Sequence, residues 1–204
     1  RASYRTFRNL PENLFSHSDQ QNQWQSAQLS GIPVSGWAGK VADNVQTFNA
    51  SAQFPPILSI SGNPVFCTGI TTRPFSMDPG QPPGLQGFDT SAASQARYTA
   101  TQQLLTFDSG LSMVQAANSV TGHAVQFATV LSDALKNIGP LQTIFPGSYL
   151  GQQLKQVAQV IAAQSALGVK RQIFFCSVGG FDTHADQLPQ QVQLLSDVSK
   201  SMSS

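Results

Sequence analysis

Asp182 and His184 stand two residues apart at the end of the segment Val178-Gly179-Gly180-Phe181-Asp182-Thr183-His184. Carboxylate oxygen and neutral imidazole nitrogen are common ligands of zinc and similar divalent ions. Residues i and i+2 of an extended backbone put their side chains on one side of the chain, so this pair can converge on one ion. Two ligands fall short of a catalytic metal centre, which takes three or more from the protein, so other segments must contribute. Gly179 and Gly180 let the backbone turn sharply and approach other groups closely. The same residues admit a bland reading, in which Asp182 caps a helix and His184 is a hydrogen-bonded histidine. A second pair, His17 and Asp19, can contact a substrate or support metal ligands from behind. Ser-x-Asp sequences are also frequent helix starts, with Ser16, Ser18 or Asp19 as the cap.

Other reactive or aromatic side chains read more plainly. His123 falls inside a helical pattern with no acidic or cysteine companion nearby and reads as a solvated or internally bonded histidine. Trp24 and Trp37 read as packing residues of their helices. Asp186 reads as the cap of a final helix and Arg171 as a solvated charge at a strand boundary. The two cysteines, Cys67 and Cys176, are far apart and fix neither a disulfide nor a compartment.

The elements that must position Asp182 and His184 follow from hydrophobic periodicity. A nearly continuous apolar run over 172–178 predicts a strand covered on both faces, of the kind found at the centre of a parallel sheet. The 179–187 loop leaves it, and Leu188, Val192, Leu195, Val198 and Met202 mark one face of a closing helix. Upstream, helical patterns cover 16–29, 37–45, 91–107, 109–135 and 149–167, with Asp108 as a cap for the fourth and Gly168 ending the last. In the fourth, Met113, Ala116, Ala117, Val120, Ala124, Phe127, Ala128, Leu131 and Leu135 mark the apolar face. Pro55-Pro56 precedes the run Ile57, Leu58 and Ile60, and a turn at 61–64 leads to Val65, which predicts a strand pair or hairpin. The 73–88 stretch is thick with Pro and Gly and reads as a functional loop or surface insertion. Helix, strand, loop, helix is the order of α/β packing, and ligands in open α/β sheets gather beyond the carboxyl ends of the strands.

Composition excludes several function classes. At 204 residues and 40% hydrophobic the chain can bury one sizeable core. Charged residues are only 10%, against roughly 25% in a typical soluble domain, and Gln, Ser, Thr and Asn supply the polarity. Net charge is +1 with no basic stripe, which argues against nucleic acid as a partner. No apolar run approaches the roughly 20 residues that span a bilayer. A Gly-x-Ser-x-Gly nucleophile turn, a phosphate loop, a dinucleotide glycine fingerprint and a paired-cysteine metal motif are all missing. Arg1 without a preceding methionine, and Ser204 inside a helical pattern with no stop signal, read as cut ends of a longer chain.

The phrase Gly179-Gly180-Phe181-Asp182-Thr183-His184-Ala185-Asp186-Gln187, after a strand that begins Lys170-Arg171-Gln172, resembles the hallmark of the bacterial domain-of-unknown-function 1501 family. Ser16-His17-Ser18-Asp19-Gln20 is similar to that family's early Ser-His-x-Asp-x-Gln segment, and Gly36-Trp37-Ala38-Gly39-Lys40 to its Gly-Trp-Leu-Gly-Arg turn. The three occur in the family's order, while 62–149 carries no motif. The family belongs to the alkaline-phosphatase and sulfatase-like superfamily. The resemblance implies a partial three-layer α/β/α core with a mostly parallel sheet and a β-hairpin or loop insertion. It also implies export to the periplasm or cell exterior, often by the twin-arginine route, and a divalent metal, zinc first, with manganese, calcium or magnesium also possible. Asp182 and His184 would be metal ligands, His17 and Asp19 substrate contacts or supports, and Gly179 and Gly180 the motif backbone. The superfamily's phosphatases separate the corresponding Asp and His by three residues, whereas one stands between them here. The family's first strand and its later Asp-His and Gly-His segments are expected outside residues 1–204, so the nucleophile is expected there too.

On this reading residues 1–204 form a single, incomplete domain. Helix and loop fill 1–54, a hairpin and Pro/Gly-rich insertion 55–90, helices 91–168, and the core strand, motif loop and last helix 169–204. Two functions compete. One is a metal-dependent hydrolase acting on a small phosphate or sulfate ester; the other is a non-catalytic exported protein that binds a protein or glycan partner. A serine hydrolase using His184 ranks third.

Overall fold

Ile57–Ser59 (β1) lies between Phe75–Ser76 (β2) and Ile173–Phe175 (β3), parallel to both, in the order β2-β1-β3. The computed structural model describes residues 10–85 and 87–204. The parts of the 1–54 and 55–90 expectations that fall on residues 1–9 and Gln86 lie outside the described residues. Leu58 faces Phe75 and Phe174 in register, and Ser59 faces Ser76 and Phe175. The ladder runs on as the Ile60 N–H donates to Phe175 C=O at 2.9 Å and the Met77 N–H to Ser59 C=O at 3.0 Å. Together with the helices this makes the chain α/β with a small parallel sheet.

Two strand expectations need correction. The central, fully buried strand is β1, with Ile57 and Leu58 at 0% exposure; β3 is an edge strand of the described sheet and half-buried along its length. The expected hairpin after β1 does not form. Val65–Cys67 is a 3-10 turn, closed by Cys67 N–H to Pro64 C=O at 3.1 Å and Thr68 N–H to Val65 C=O at 2.9 Å. That turn buries Phe66 and Cys67. Parallel partners cannot be joined by a tight turn, so β1 pairs with residues beyond the 3-10 turn and with the far end of the chain.

The helices are His17–Ser26 (α1), Trp37–Val45 (α2), Ala92–Thr106 (α3), Ser112–Lys136 (α4), Tyr149–Ala162 (α5), Gln164–Leu167 (α6) and Gln187–Met202 (α7). Ser16, Ser91 and Ser148 cap α1, α3 and α5 by accepting the N–H three residues on. Gly168 ends α6 in the left-handed region at φ +69°, as its position implies. Asp108 is not the cap of α4. Its Oδ1 accepts the Gly110 N–H at 2.9 Å and the Gln115 amide, closing a turn, while Leu111 occupies the cap position. Asp186 occupies the cap position of α7 at φ +46° but makes no side-chain cap bond. None of these helices is long and apolar enough to cross a membrane.

Alternate residues of β1 face opposite sides. Leu58 and Ile60 pack with Ala128, Leu131 and Ala134 of α4, Val160 of α5 and Leu167 of α6. Ile57 packs with Ala38 and Ala42 of α2 and with Phe66 and Cys67. Both thiols are free, and burial pushes Cys67 up to about 12 and Cys176 to about 11. Only the second half of the apolar face of α4 is covered, since Met113 and Val120 are exposed. The buried side of α7 also differs from the sequence pattern: Leu194, Val198 and Ser201 face inward, while Leu188, Val192, Leu195 and Met202 are exposed.

Polar tie-points fix the loops around the sheet. Asn49, nearly buried, donates to Arg171 C=O at 2.7 Å and accepts the N–H groups of Lys170 and Arg171, so β3 enters at a fixed height. Asp43 accepts the N–H groups of Ile70, Thr71 and Thr72 and the Thr71 hydroxyl. Burial pushes its carboxyl up, but these donors outweigh it and hold the group well below the usual carboxylate range. A depressed native pKa stabilises above the unfolded value and loses that contribution as pH falls. Asp43→Ala is therefore expected to cost about 1–3 kcal/mol near neutrality. The gap to wild type should close as pH drops below about 4, read from urea midpoints at several pH values.

Gly39 of α2 sits against backbone: an added Cβ would fall 2.1 Å from the Thr68 carbonyl carbon. Gly39→Ala is expected to destabilise by about 2 kcal/mol or more, as an overpacked core position does. In α4 an added Cβ at Gly122 meets nothing within 4 Å. Gly122→Ala should stabilise by about 0.5–1 kcal/mol through backbone entropy; thermal unfolding of the two variants checks both signs.

Candidate functional site

The strand order β2-β1-β3 sends the chain to one side of β1 and then back to the other. The connections leaving β1 and β3 therefore diverge beyond their carboxyl ends, where open parallel sheets form ligand crevices. Ser61, two residues past β1, and Ser177, two past β3, meet there with their hydroxyl oxygens 2.6 Å apart. Gln153 of α5, fully buried, clamps the Ser177 peptide from both sides: its Nε2 donates to Ser177 C=O at 2.8 Å and its Oε1 accepts the Ser177 N–H at 2.9 Å.

The motif loop starts from this clamp. Gly180 holds φ +91°, a conformation that L side chains rarely adopt, whereas Gly179 has open space around it and no such need. Glutamines of α7 fasten the loop: Gln191 donates to Phe181 C=O at 2.9 Å and Gln190 to Ala185 C=O at 3.0 Å. The Thr183 N–H donates to Phe181 C=O at 3.1 Å. Asp182 Oδ2 then lies 3.2 Å from His184 Nε2, so the carboxylate and imidazole do converge.

His17 joins them from the other end of the chain, its Nδ1 3.5 Å from the same Asp182 oxygen. It is the first residue of α1, placed by the Ser16 cap. All three side chains are well exposed, His17 at 75%, Asp182 at 60% and His184 at 86%. The hydroxyl oxygen of Thr183, which separates Asp182 from His184 in the chain, is buried with no hydrogen-bond partner. Asp19 does not join the group. Its N–H donates to the Ser16 hydroxyl at 3.3 Å, and it lines a separate cavity of about 310 Å³ with Asn22 and Ser26.

Two imidazoles and a carboxylate have the donor chemistry of a zinc-type site. A tetrahedral ion about 2.0–2.1 Å from such ligands spaces them roughly 3.3 Å apart, close to the two separations seen here. Among the described residues, however, no group of three or more His, Cys, Asp and Glu, this trio included, is placed to hold a metal ion as it stands. His123 is elsewhere, its ring stacked on Phe127 at 6.0 Å. A larger cavity, about 650 Å³ between residues 80–83 and helices α4 and α5, holds none of these side chains.

Trp24 and Trp37 pack edge-to-face at 6.0 Å and both contact Phe66, but they are not buried: Trp24 is 63% and Trp37 41% exposed. Sequence reading missed Ser61, Ser177 and Gln153. The available signal was position, since Ser61 follows the run that ends at Ile60 and Ser177 stands near the end of the run over 172–178. No protein-family model matches the chain, and comparisons with curated proteins and with solved structures give no match.

Gln153→Leu would remove from the Ser177 N–H and C=O the partners that the buried Gln153 amide supplies. The expected cost is about 2–4 kcal/mol in a urea titration, with amide signals of residues 177–184 shifted most.

Proposed function

We infer that the chain is the metal-holding part of a divalent-metal-dependent hydrolase of phosphate or sulfate esters, built on a partial three-layer α/β/α core of the alkaline-phosphatase type. One observation carries this reading: His17, from one sequence motif, and His184, from another, meet the same oxygen of Asp182. The crevice beyond the carboxyl ends of parallel strands is where such folds bind ligands. The resemblance of the motifs supports export, to the periplasm or cell exterior.

Asp182 would supply a charged oxygen ligand, and His17 and His184 neutral nitrogen ligands, to zinc or a related ion. When bound, that ion polarises a phosphoryl or sulfuryl oxygen and neutralises charge developing on it. Gln190 and Gln191 of α7 fasten the loop on either side of Asp182 and His184, at Ala185 and Phe181. Asp19, pointing into another cavity, takes no part as a ligand.

A second reading, an exported binding protein, has one observation in its favour. Trp24 stacks one face against Phe66 and remains 63% exposed on an amide-rich helix, a platform suited to a glycan or protein partner.

Elemental analysis and zinc titration of the purified protein separate the two. The hydrolase reading expects about one bound equivalent, with affinity falling at least about tenfold in folded His17→Ala, Asp182→Ala and His184→Ala variants. Asp19→Ala should leave it unchanged. A folded wild-type protein that takes up no divalent ion sinks this reading and favours the binding protein.

A further inference from the structure

We propose that the crevice between the carboxyl ends of β1 and β3 is a subsite for a tetrahedral oxyanion, with the Ser61–Ser177 hydroxyl pair as its floor. Identifying that anion with the phosphoryl or sulfuryl group of an ester rests on the hydrolase reading; the subsite itself does not. The two hydroxyls are 2.6 Å apart. They carry two protons between them, one engaged in their mutual hydrogen bond, so the second is free to donate to an incoming oxygen.

The segments that follow β1 and β3 are rich in unused donors. The N–H groups of Gly62, Asn63, Val178, Gly179 and Gly180 reach no protein acceptor among the described residues. Successive backbone N–H groups in turns form anion-binding concavities. Space is available as well, since a Cβ added at Gly62 or at Gly179 meets nothing within 4 Å.

The floor is rigid before any ligand arrives. Gln153 fixes the Ser177 peptide at both its N–H and its C=O. The Ser61 N–H donates to the fully buried Ser59 hydroxyl at 3.3 Å. Donors held in place by the fold bind an oxyanion without reorganising, which is the condition for strong electrostatic stabilisation. Ser177 is exposed and Ser61 half-buried, so the pair is open to solvent. Asp182, whose negative charge would repel a bare anion, is the residue that a bound cation would neutralise.

The test is an amide NMR titration of metal-stripped, isotope-labelled protein with inorganic phosphate and, separately, with inorganic sulfate. Saturable shifts are expected at Gly62, Asn63, Gly179 and Gly180. Affinity should weaken at least about tenfold in Ser61→Ala and in Ser177→Ala, the loss of one good hydrogen bond to an ion. Ser61→Thr, which keeps the hydroxyl, should bind within about threefold of wild type and guards against misfolding as the cause. Asp182→Ala should bind at least as well as wild type in the metal-stripped state. Absence of saturable shifts at these amides, or equal affinity in both alanine variants, overturns the proposal. Zinc uptake measured on the same samples keeps the readings apart: zinc bound without phosphate shifts leaves the metal ligands standing and removes the subsite, and the reverse result removes the metal.

Discussion

The pairing of β1 on both edges is the constraint on which the rest of the structure depends. Ile57 and Leu58 lose all contact with water, on opposite faces, and each face then needs its own apolar cover. α4, α5 and α6 supply one cover and α2 with the 65–67 turn supplies the other. Because β2 and β3 run parallel to β1, their carboxyl ends coincide in space. Residues from distant parts of the chain, 61–63 and 177–184, are thereby delivered to one place. Shortening or misregistering β1 would displace both walls of the crevice together.

A chain with 10% charged residues cannot fasten its loops with ion pairs, and amides and hydroxyls do that work instead. Gln153 holds the exit of β3, Asn49 its entrance, and Gln190 and Gln191 the motif loop. Some carboxylates share this work by accepting backbone donors, Asp43 from three N–H groups and Asp108 from Gly110. Such bonds are short-ranged and neutral, so they are insensitive to salt in a way that surface ion pairs are not. They also leave the exposed charges near the crevice, above all Asp182, free of structural duty.

Much of the helical framework was legible because periodicity and capping are local: Ser16 caps the first helix and Gly168 ends another, as their positions imply. Strand position was not. The apolar run over 172–178 looks more like a central strand than Ile57-Leu58-Ser59 does, and only the tertiary pairing shows that β1 has two neighbours and β3 one. The hairpin failed because Val65, Phe66 and Cys67 satisfy strand composition as well as they fill a 3-10 turn. On α7 two apolar stripes share the helix, and the sequence does not say which one packs. Asp182 with His184 was readable from spacing, and their meeting with His17 was not, since nothing local in residues 16–20 points to the far end of the chain.

That meeting cannot be its own cause. A polar contact as exposed as that of His17 with Asp182 contributes about 0–1 kcal/mol, too little to hold a helix against a loop. α1 is held by other means. Its Gln25 accepts the Phe66 N–H at 3.2 Å, Trp24 stacks on the Phe66 ring at 5.7 Å, and Phe66 in turn packs on Phe175 of β3 at 5.2 Å. The same strand that launches the motif loop therefore anchors the helix that carries His17. The three side chains are brought together by apolar and amide contacts that would persist if all three were alanine. The scaffold thus converges two imidazoles on an exposed carboxylate, where their mutual attraction returns almost nothing.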